Sequence, residues 1–389
     1  MKNVGLIFKK YTMPIVLVLV VIFFNAMTKG KMLLPANFTA LINQNAYVYI
    51  LATGMLMCML IKGNIDLSVG SVVCFADAVG AVLMVKKGFG VFPSMLIMLL
   101  LGLLIGCVMG YIIAYVNIPP WIATLGGYLA FRGLGTAVLN GSSVSVDKSY
   151  TSIFNGEIPA VFTIPLGDKS LNGMCLIIGI VVCVIAVFLQ VRDRATKIKK
   201  GYEADSMTAV IVKSVIVCAV VLLFTYKLGI DKGIPLTLVW IAVIAVIYDF
   251  ITSKTVVGRY FYTMGGNVEA TRLSGIDTKK ILFLAYLNMQ FLTIVASWIA
   301  MARLTSANPN AGINYEMDAI SACIVGGVSA YGGSGSVFGM VVGATLIGVI
   351  NLGMSIMGID ANWQKVVKGI VLLAAVVFEI FNNREKKKA

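Results

Sequence analysis

The stretch YTMGGNVEATRLSGIDTKKI, residues 262–281, is a polar island in an apolar chain. It is charged and bracketed by glycines, and it stands between two apolar runs, 234–252 and 281–303. Each run is near the roughly 20 residues that cross a bilayer. Within the island, Asn267 is a good helix N-cap, because its side chain accepts from free N–H groups of the first turn. Glu269 in the first turn and Arg272 in the last suit the two ends of the helix dipole. Gly275 stands where a left-handed C-cap residue belongs. The spacing predicts a helix of about two turns over Val268–Ser274, roughly 10 Å long. Such a helix is marginal alone in water. Two readings stand: a capped turn resting on the lipid interface, and a helix gripped by a partner outside the membrane.

Composition bounds the rest of the chain. Of its 389 residues, 59% are hydrophobic and 12% charged, with a mean hydropathy of +0.94. Soluble domains carry about 25% charged residues. No single core hides this much apolar surface, so the fold class is an all-α, polytopic membrane protein. A membrane β-barrel would alternate in polarity over segments of about ten residues, whereas these runs are continuous. The net charge of +14 sits at the ends of apolar runs, as topology signals do, and forms no basic face with stacking aromatics. Nucleic acid is therefore not an expected partner. There is no histidine, and the seven cysteines form no CxxC pair, so neither a metal site nor a disulfide framework is expected. The cysteines read as small buried hydrophobes.

Apolar runs fall near 12–28, 41–61, 67–85, 92–116, 119–139, 173–191, 208–227, 234–252, 281–303, 317–331, 336–358 and 363–381. These give about twelve spans within one transmembrane domain, 1–389, the run at 317–331 being short enough to be re-entrant. No small-residue cleavage site follows the first run, so it is expected to be retained as a membrane helix. Basic residues favour the side that holds both termini by about two to one, which predicts N-in and C-in. The longest external loop, Asn140–Asn172, has mixed charge at Asp147, Lys148, Glu157, Asp168 and Lys169. It reads either as a solvated connector or as a docking surface.

Gly102, Gly106 and Gly110 share one helix face, and Gly339 and Gly343 repeat that spacing. Small residues at i, i+4 let membrane helices approach closely, so both sets read as packing faces. Gly332–Ser336 reads as a tight turn, because it lacks the order of a phosphate-binding loop. Polar groups within spans are costly and informative. Asp77 is either a hydrogen-bonding group between helices or a pathway residue, and Arg132 is a possible partner for it. Asn45, Asn288 and Gln290 carry amides that can both donate to and accept from the hydroxyls of a polar ligand, and helix–helix hydrogen bonds explain them equally well. Asp66 and Asn64 read as a cap on the third span.

Glu269-Ala270-Thr271 followed by Gly275 resembles the EAA-x-x-x-G signature of bacterial ABC importer permeases. The wider stretch 265–281 resembles the coupling loop of ribose/xylose/galactose-type sugar permeases. Two further stretches resemble segments of that family in the same order. They are Gly63-Asn64-Ile65-Asp66-Leu67-Ser68-Val69-Gly70-Ser71, and Tyr315-Glu316-Met317-Asp318-Ala319-Ile320-Ser321-Ala322 running on through Gly326-Gly327 to Gly332-Gly333-Ser334-Gly335. The chain departs from the shorter members near 168–233, where two apolar runs flank a basic loop and read as an extra helical hairpin on a core of about ten helices. Thr271 stands in place of the signature's second alanine.

The resemblance implies a transport subunit in a bacterial cell membrane, not an enzyme, with no cofactor of its own. ATP and Mg would bind a cytoplasmic ABC ATPase, since the chain holds no P-loop. Asn267, Glu269, Ala270, Arg272 and Gly275 would form the coupling surface within the cytoplasmic loop 262–281. An extracytoplasmic sugar-binding protein and a second permease copy, as a homodimer, complete the implied partners. Asn45, Asp77, Arg132, Asn288 and Gln290 are the candidate pathway residues. The competing reading is a proton-coupled secondary sugar transporter, which would leave the capped helix idle.

Overall fold

The computed structural model describes residues 2–167, 169–204 and 206–388. Each of the twelve apolar runs coincides with a helix. In chain order these are α1 (Lys2–Met27), α2 (Pro35–Leu60), α3 (Val69–Ala81), α4 (Val91–Ala114), α5 (Pro120–Val138), a short α6 (Lys148–Asn155), α7 (Gly173–Lys199), α8 (Met207–Ile230) and α9 (Leu236–Lys254). Two short helices, α10 (Val256–Gly266) and α11 (Val268–Leu273), lie inside the polar region. The chain then forms α12 (Thr278–Leu304), α13 (Tyr315–Val325), α14 (Val337–Ile356) and α15 (Ala361–Lys388). Among the described residues, seven helices are long and apolar enough to cross a membrane: α3 with its terminal π-turn Val82–Lys86, α4, α7, α8, α9, α12 and α14. Asp168, expected in the external loop, lies outside the described residues.

The core is α2 packed among α12, α13 and α14, with α3 and α4 closing the other side. Small residues make these contacts. A Cβ on Gly102, Gly106 or Gly110 of α4 would press on Ile294, Leu287 or Phe283 of α12. Gly339 and Gly343 of α14 pass the Gly326 and Ala322 carbonyls at the end of α13 in the same way. Both glycine faces are therefore packing faces, as their spacing predicts. Of the cysteines, Cys107 is exposed on α4 and Cys218 half-buried, a departure from the expectation that all seven are buried. At this depth the outward face of α4 is apolar, and a thiol is at home there.

The run expected at 317–331 does not form a spanning helix. Its helical part, α13, has 11 residues and is roughly 16 Å long. The preceding segment, 305–314, lies at the end of the bundle where α12 finishes. The following segment, 326–336, reaches the opposite end, where the Gly333 N–H donates to the Leu60 carbonyl (2.9 Å) and the Tyr262 hydroxyl to the Gly335 carbonyl (2.9 Å). The chain thus crosses between the two ends with about two thirds of residues 305–336 non-helical. Irregular backbone is tolerated at membrane depth only where protein or a water-filled cavity lines it, and Ala307, Ala311, Gly312 and Val328 anchor these stretches as buried residues. Gly332 and Gly333 adopt φ of +89° and +72°, so this stretch is the tight turn its sequence predicts.

The loop expected to be external, 140–172, packs against the bundle. Strands β1 (Val144–Ser145) and β4 (Ser306–Ala307) pair antiparallel, and β2 (Thr163–Leu166) pairs with β3 (Lys169–Asn172). In α6, Tyr150 and Phe154 turn inward, and the Tyr150 hydroxyl donates to the Trp298 carbonyl at 2.8 Å. Helices α7 and α8 form an antiparallel hairpin that touches the core chiefly along α2.

Candidate functional site

The polar island folds as its capping residues direct. The Asn267 side chain accepts from the Ala270 N–H at 3.0 Å, the bond of an N-cap to the third helical residue. At the other end the Gly275 N–H donates to the Arg272 carbonyl and the Ile276 N–H to the Thr271 carbonyl. With Gly275 at φ +83°, this is the paired-bond C-cap that needs a left-handed residue. The helix is one residue shorter than the spacing predicts, because Ser274 takes the C-cap position. Glu269 and Arg272 form an ion pair on the open face. Thr271 is buried, and its hydroxyl donates to the Asn267 carbonyl at 2.7 Å. A threonine is tolerated there because its hydroxyl is satisfied within the helix. Asn267, Glu269, Ala270, Arg272 and Gly275 are all exposed, and Leu273 beside them is 80% exposed.

Beneath α11 lies a backbone junction. Gly265, near the end of α10, approaches so closely that a Cβ on it would sit 2.0 Å from the Leu60 carbonyl and 2.1 Å from the Gly333 nitrogen. Next to it, a Cβ on Gly63 would sit 1.8 Å from the Ala330 carbonyl. Three chain segments therefore meet without side chains between them: the end of α10, the end of α2 and the turn before α14. The junction thus links α10, which precedes α11, to both interrupted stretches of the bundle through backbone contacts.

Those stretches meet again inside. After Leu60 the chain turns through Lys62 and Gly63, both with positive φ, and climbs non-helically to α3. From the other end, 305–314 descends to α13. They touch where a Cβ on Gly70 would lie 2.1 Å from the Gly312 carbonyl, and one on Gly312 would lie 2.0 Å from that of Gly70. Around this crossing the buried polar groups gather. The Asp66 carboxylate accepts from the Ser68 N–H (2.8 Å), the Ser68 hydroxyl (2.6 Å) and the Gln290 amide (2.8 Å). Asp66 is thus a brace between α12 and the climbing segment, not the helix cap expected of it. Ser68 holds the cap position of α3 and makes no side-chain capping bond.

The candidate pathway residues are distributed through helix–helix contacts. The Ser297 hydroxyl donates to Asp77 at 2.6 Å. Arg132 does not pair with Asp77: its guanidinium donates to the carbonyls of Pro309 (3.1 Å) and Ala311 (2.6 Å), which the descending segment leaves free. The Asn45 amide donates to the Leu41 carbonyl at 2.8 Å, and Asn288 accepts from the Tyr248 hydroxyl. Asp77 Oδ2, Gln290 Oε1, Arg132 Nη2, Asn288 Nδ2 and Glu316 Oε2 are buried without a hydrogen-bond partner among the described residues.

The structure adds a charged group that the sequence pattern does not single out. Asp318 of α13 accepts from the Tyr47 hydroxyl (2.7 Å) and pairs with Lys368 of α15 (2.8 Å). The Tyr47 and Tyr315 rings stack beside it with centroids 3.6 Å apart. The sequence does carry a signal for it, since Lys368 is a cation inside the apolar run 363–381 and Asp318 an acid inside 317–331.

Residues 37–376 match the family described as branched-chain amino acid transport system / permease component. The chain is 34% identical over 386 residues to the xylose transport system permease protein XylH of Haemophilus influenzae, covering 99% of each. It is 33% identical over 375 residues to the XylH of Escherichia coli K12, covering 96% of this chain and 92% of that one. It is 28% identical over 350 residues to the ribose import permease protein RbsC of Haemophilus influenzae, covering 90% and 87%. No solved structure matches.

Proposed function

This chain belongs to the branched-chain amino acid transport system / permease component family, and from that membership we propose that it is the membrane subunit of an ATP-driven importer of a monosaccharide. The family description names amino acids, but the relatives matched along almost their whole length are named for xylose and ribose. The xylose/ribose/galactose class is therefore the proposed cargo. The protein is a multi-pass component of the bacterial inner membrane, N-in and C-in, with the basic ends of its helices and the loop 255–277 in the cytoplasm.

The observation that carries this reading is α11. It is a capped helix with all five coupling candidates exposed in it or at its caps, and it stands on a glycine junction that leads to both interrupted stretches. In the proposed cycle an ABC ATPase, binding ATP and Mg, grips Glu269, Ala270, Arg272 and Leu273. Its closure displaces α11, and the junction at Gly265, Leu60 and Gly333 passes the movement to α2 and α14. The bundle switches as a two-state rigid-body change. A sugar-binding protein delivers cargo outside, and two copies of the permease form one path.

Gly275→Val tests the coupling. A branched residue at φ +83° is strained, and unravels the end of α11 without touching the core, since nothing lies near Gly275. The expected result is loss of D-xylose uptake and of ATPase co-purification, with normal amounts of folded permease. Uptake that persists in this variant, or that runs on a proton gradient without ATP, sinks the proposal.

A further inference from the structure

We propose that the cleft between α13 and α15 is a monosaccharide subsite inside the membrane, with the Asp318–Lys368 pair binding sugar hydroxyls. The inference rests on the sugar-import reading and assigns it a place. The cleft encloses about 200 Å³ and is lined by Asn314, Met317, Asp318, Ser321, Lys365 and Lys368. That is below the roughly 300–1,000 Å³ of pockets for drug-sized ligands and on the scale of one monosaccharide.

Three observations set this group apart from the other buried acids. Asp66 and Asp77 are met by neutral donors and closed in by neighbouring helices. Asp318, 3% exposed, is met by a cation and borders open space. Lys368 lies roughly 10 Å into α15 and is itself only partly exposed, at 23% for its side chain. A second cation, Lys365, stands one turn away, exposed and with no hydrogen bond or ion pair among the described residues. Two cations and one acid on one face are expensive against lipid, so this face meets water. Stability does not explain the pair either. Replacing a buried ion pair by apolar residues is often neutral or favourable.

The donor and acceptor set matches a sugar. Asp318 accepts from vicinal hydroxyls, the two ammonium groups donate, and Asn314 and Ser321 do both. The Tyr47 hydroxyl, its ring stacked on that of Tyr315, holds the Asp318 carboxylate at the cleft wall. Met317, 45% exposed at its lip, offers an apolar edge for ring carbons. The Asp318–Lys368 pair is neutral as a unit, so a polyol can bond to both of its members without displacing either.

The test starts from cells whose D-xylose, D-ribose and D-galactose uptake is measured with the unaltered chain. Met317→Cys, and separately Ser321→Cys, is made in a Cys107→Ser background and treated with a membrane-impermeant thiol reagent. Labelling is expected, slowed about threefold or more by D-xylose at concentrations well above its Kd, and not by osmotically matched betaine. If neither cysteine is labelled, the cleft faces lipid and the proposal is overturned. Labelling that D-xylose leaves unchanged overturns it too. Lys368→Met, which keeps the stem and removes the charge, is expected to lower uptake about tenfold, the scale of one lost charge-assisted hydrogen bond. In the exchanged pair Asp318→Lys/Lys368→Asp, uptake should stay low although the ion pair is remade. Full recovery there marks the pair as a brace and overturns the subsite. Failure of the unaltered chain to take up any of the three sugars instead overturns the import reading, so the two failures are distinguishable.

Discussion

Helices α12 and α7 are both 27 residues long, yet they are built on opposite principles. The most apolar 18-residue window of α7 has a mean hydropathy of 3.0 and is 17% buried; that of α12 has 1.6 and is 61% buried. The more apolar helix is the more exposed one. In water this would be an inversion, but here lipid is the solvent, and it is as apolar as leucine. What draws α12 inward is the close approach of Gly102, Gly106 and Gly110 on α4, and the polar bonds from Gln290 and Ser297 to Asp66 and Asp77. Helix α7 has one close partner, α8, where Gly179 meets Thr225. In this protein polarity and small size mark the core, and apolar bulk marks the lipid face.

The largest expected effect comes from breaking the close approach where no side chain yields. Gly70 meets the backbone carbonyl of Gly312, so a valine at 70 must move a whole chain segment. Overpacking a fitted core costs about 1–3 kcal/mol and occasionally more, and a backbone obstacle belongs at the upper end. Gly70→Val is expected to give little folded protein by size-exclusion chromatography in detergent. Phe188→Ala, on the exposed face of α7, is expected to change the melting temperature by no more than its surface position implies, within about 0.5 kcal/mol. Equal losses from the two would end the distinction between the close-packed core and the lipid face.

A smaller effect sharpens the polar half of the comparison. Gln290→Leu removes one of three donors from the buried Asp66 and leaves the shape nearly unchanged. Interhelical hydrogen bonds in membranes average about 0.6 kcal/mol, with a maximum near 1.7. The loss of a donor to a buried carboxylate is expected at the top of that range, read as reduced thermal stability in detergent. A variant as stable as the parent would mean that packing alone holds α12.

How much of the fold and of the site is legible in the sequence depends on the reach of each interaction. The caps of α11 are local, Asn267 to Ala270 and Gly275 to Arg272, so residue type and spacing are enough to reveal them. The glycine faces of α4 and α14 are legible for the same reason, but not the helices they meet. Asp66 and Gln290 are 224 positions apart and Asp318 and Lys368 are 50, and no local period joins such pairs. The expected pairing of Arg132 with Asp77 fails on backbone. The segment 305–314 is not helical, so its carbonyls are free to accept, and a guanidinium takes them. A helix interrupted at membrane depth leaves only glycines in the sequence, and glycines there also mark packing.

The smallest effect tests how separate the α7–α8 hairpin is from the core. Thr39 of α2 donates to Asp231, just past the end of α8, at 2.7 Å, and Phe38 meets Phe224 edge-on with ring centroids 5.2 Å apart. Thr39→Val keeps the shape and removes the bond. Asp231 is half-buried and near solvent at this end, so water replaces the lost donor in part, and the expected cost is about 0.5 kcal/mol, the low end for a net hydrogen bond. That cost should appear locally. Hydrogen exchange at the last turn of α8 is expected to rise while exchange in α12 and the global melting temperature stay unchanged, as for an element with its own opening free energy. If α12 loosens as well, the hairpin and the core unfold as one unit. The low burial of α7 would then reflect contact with lipid alone and say nothing of independence.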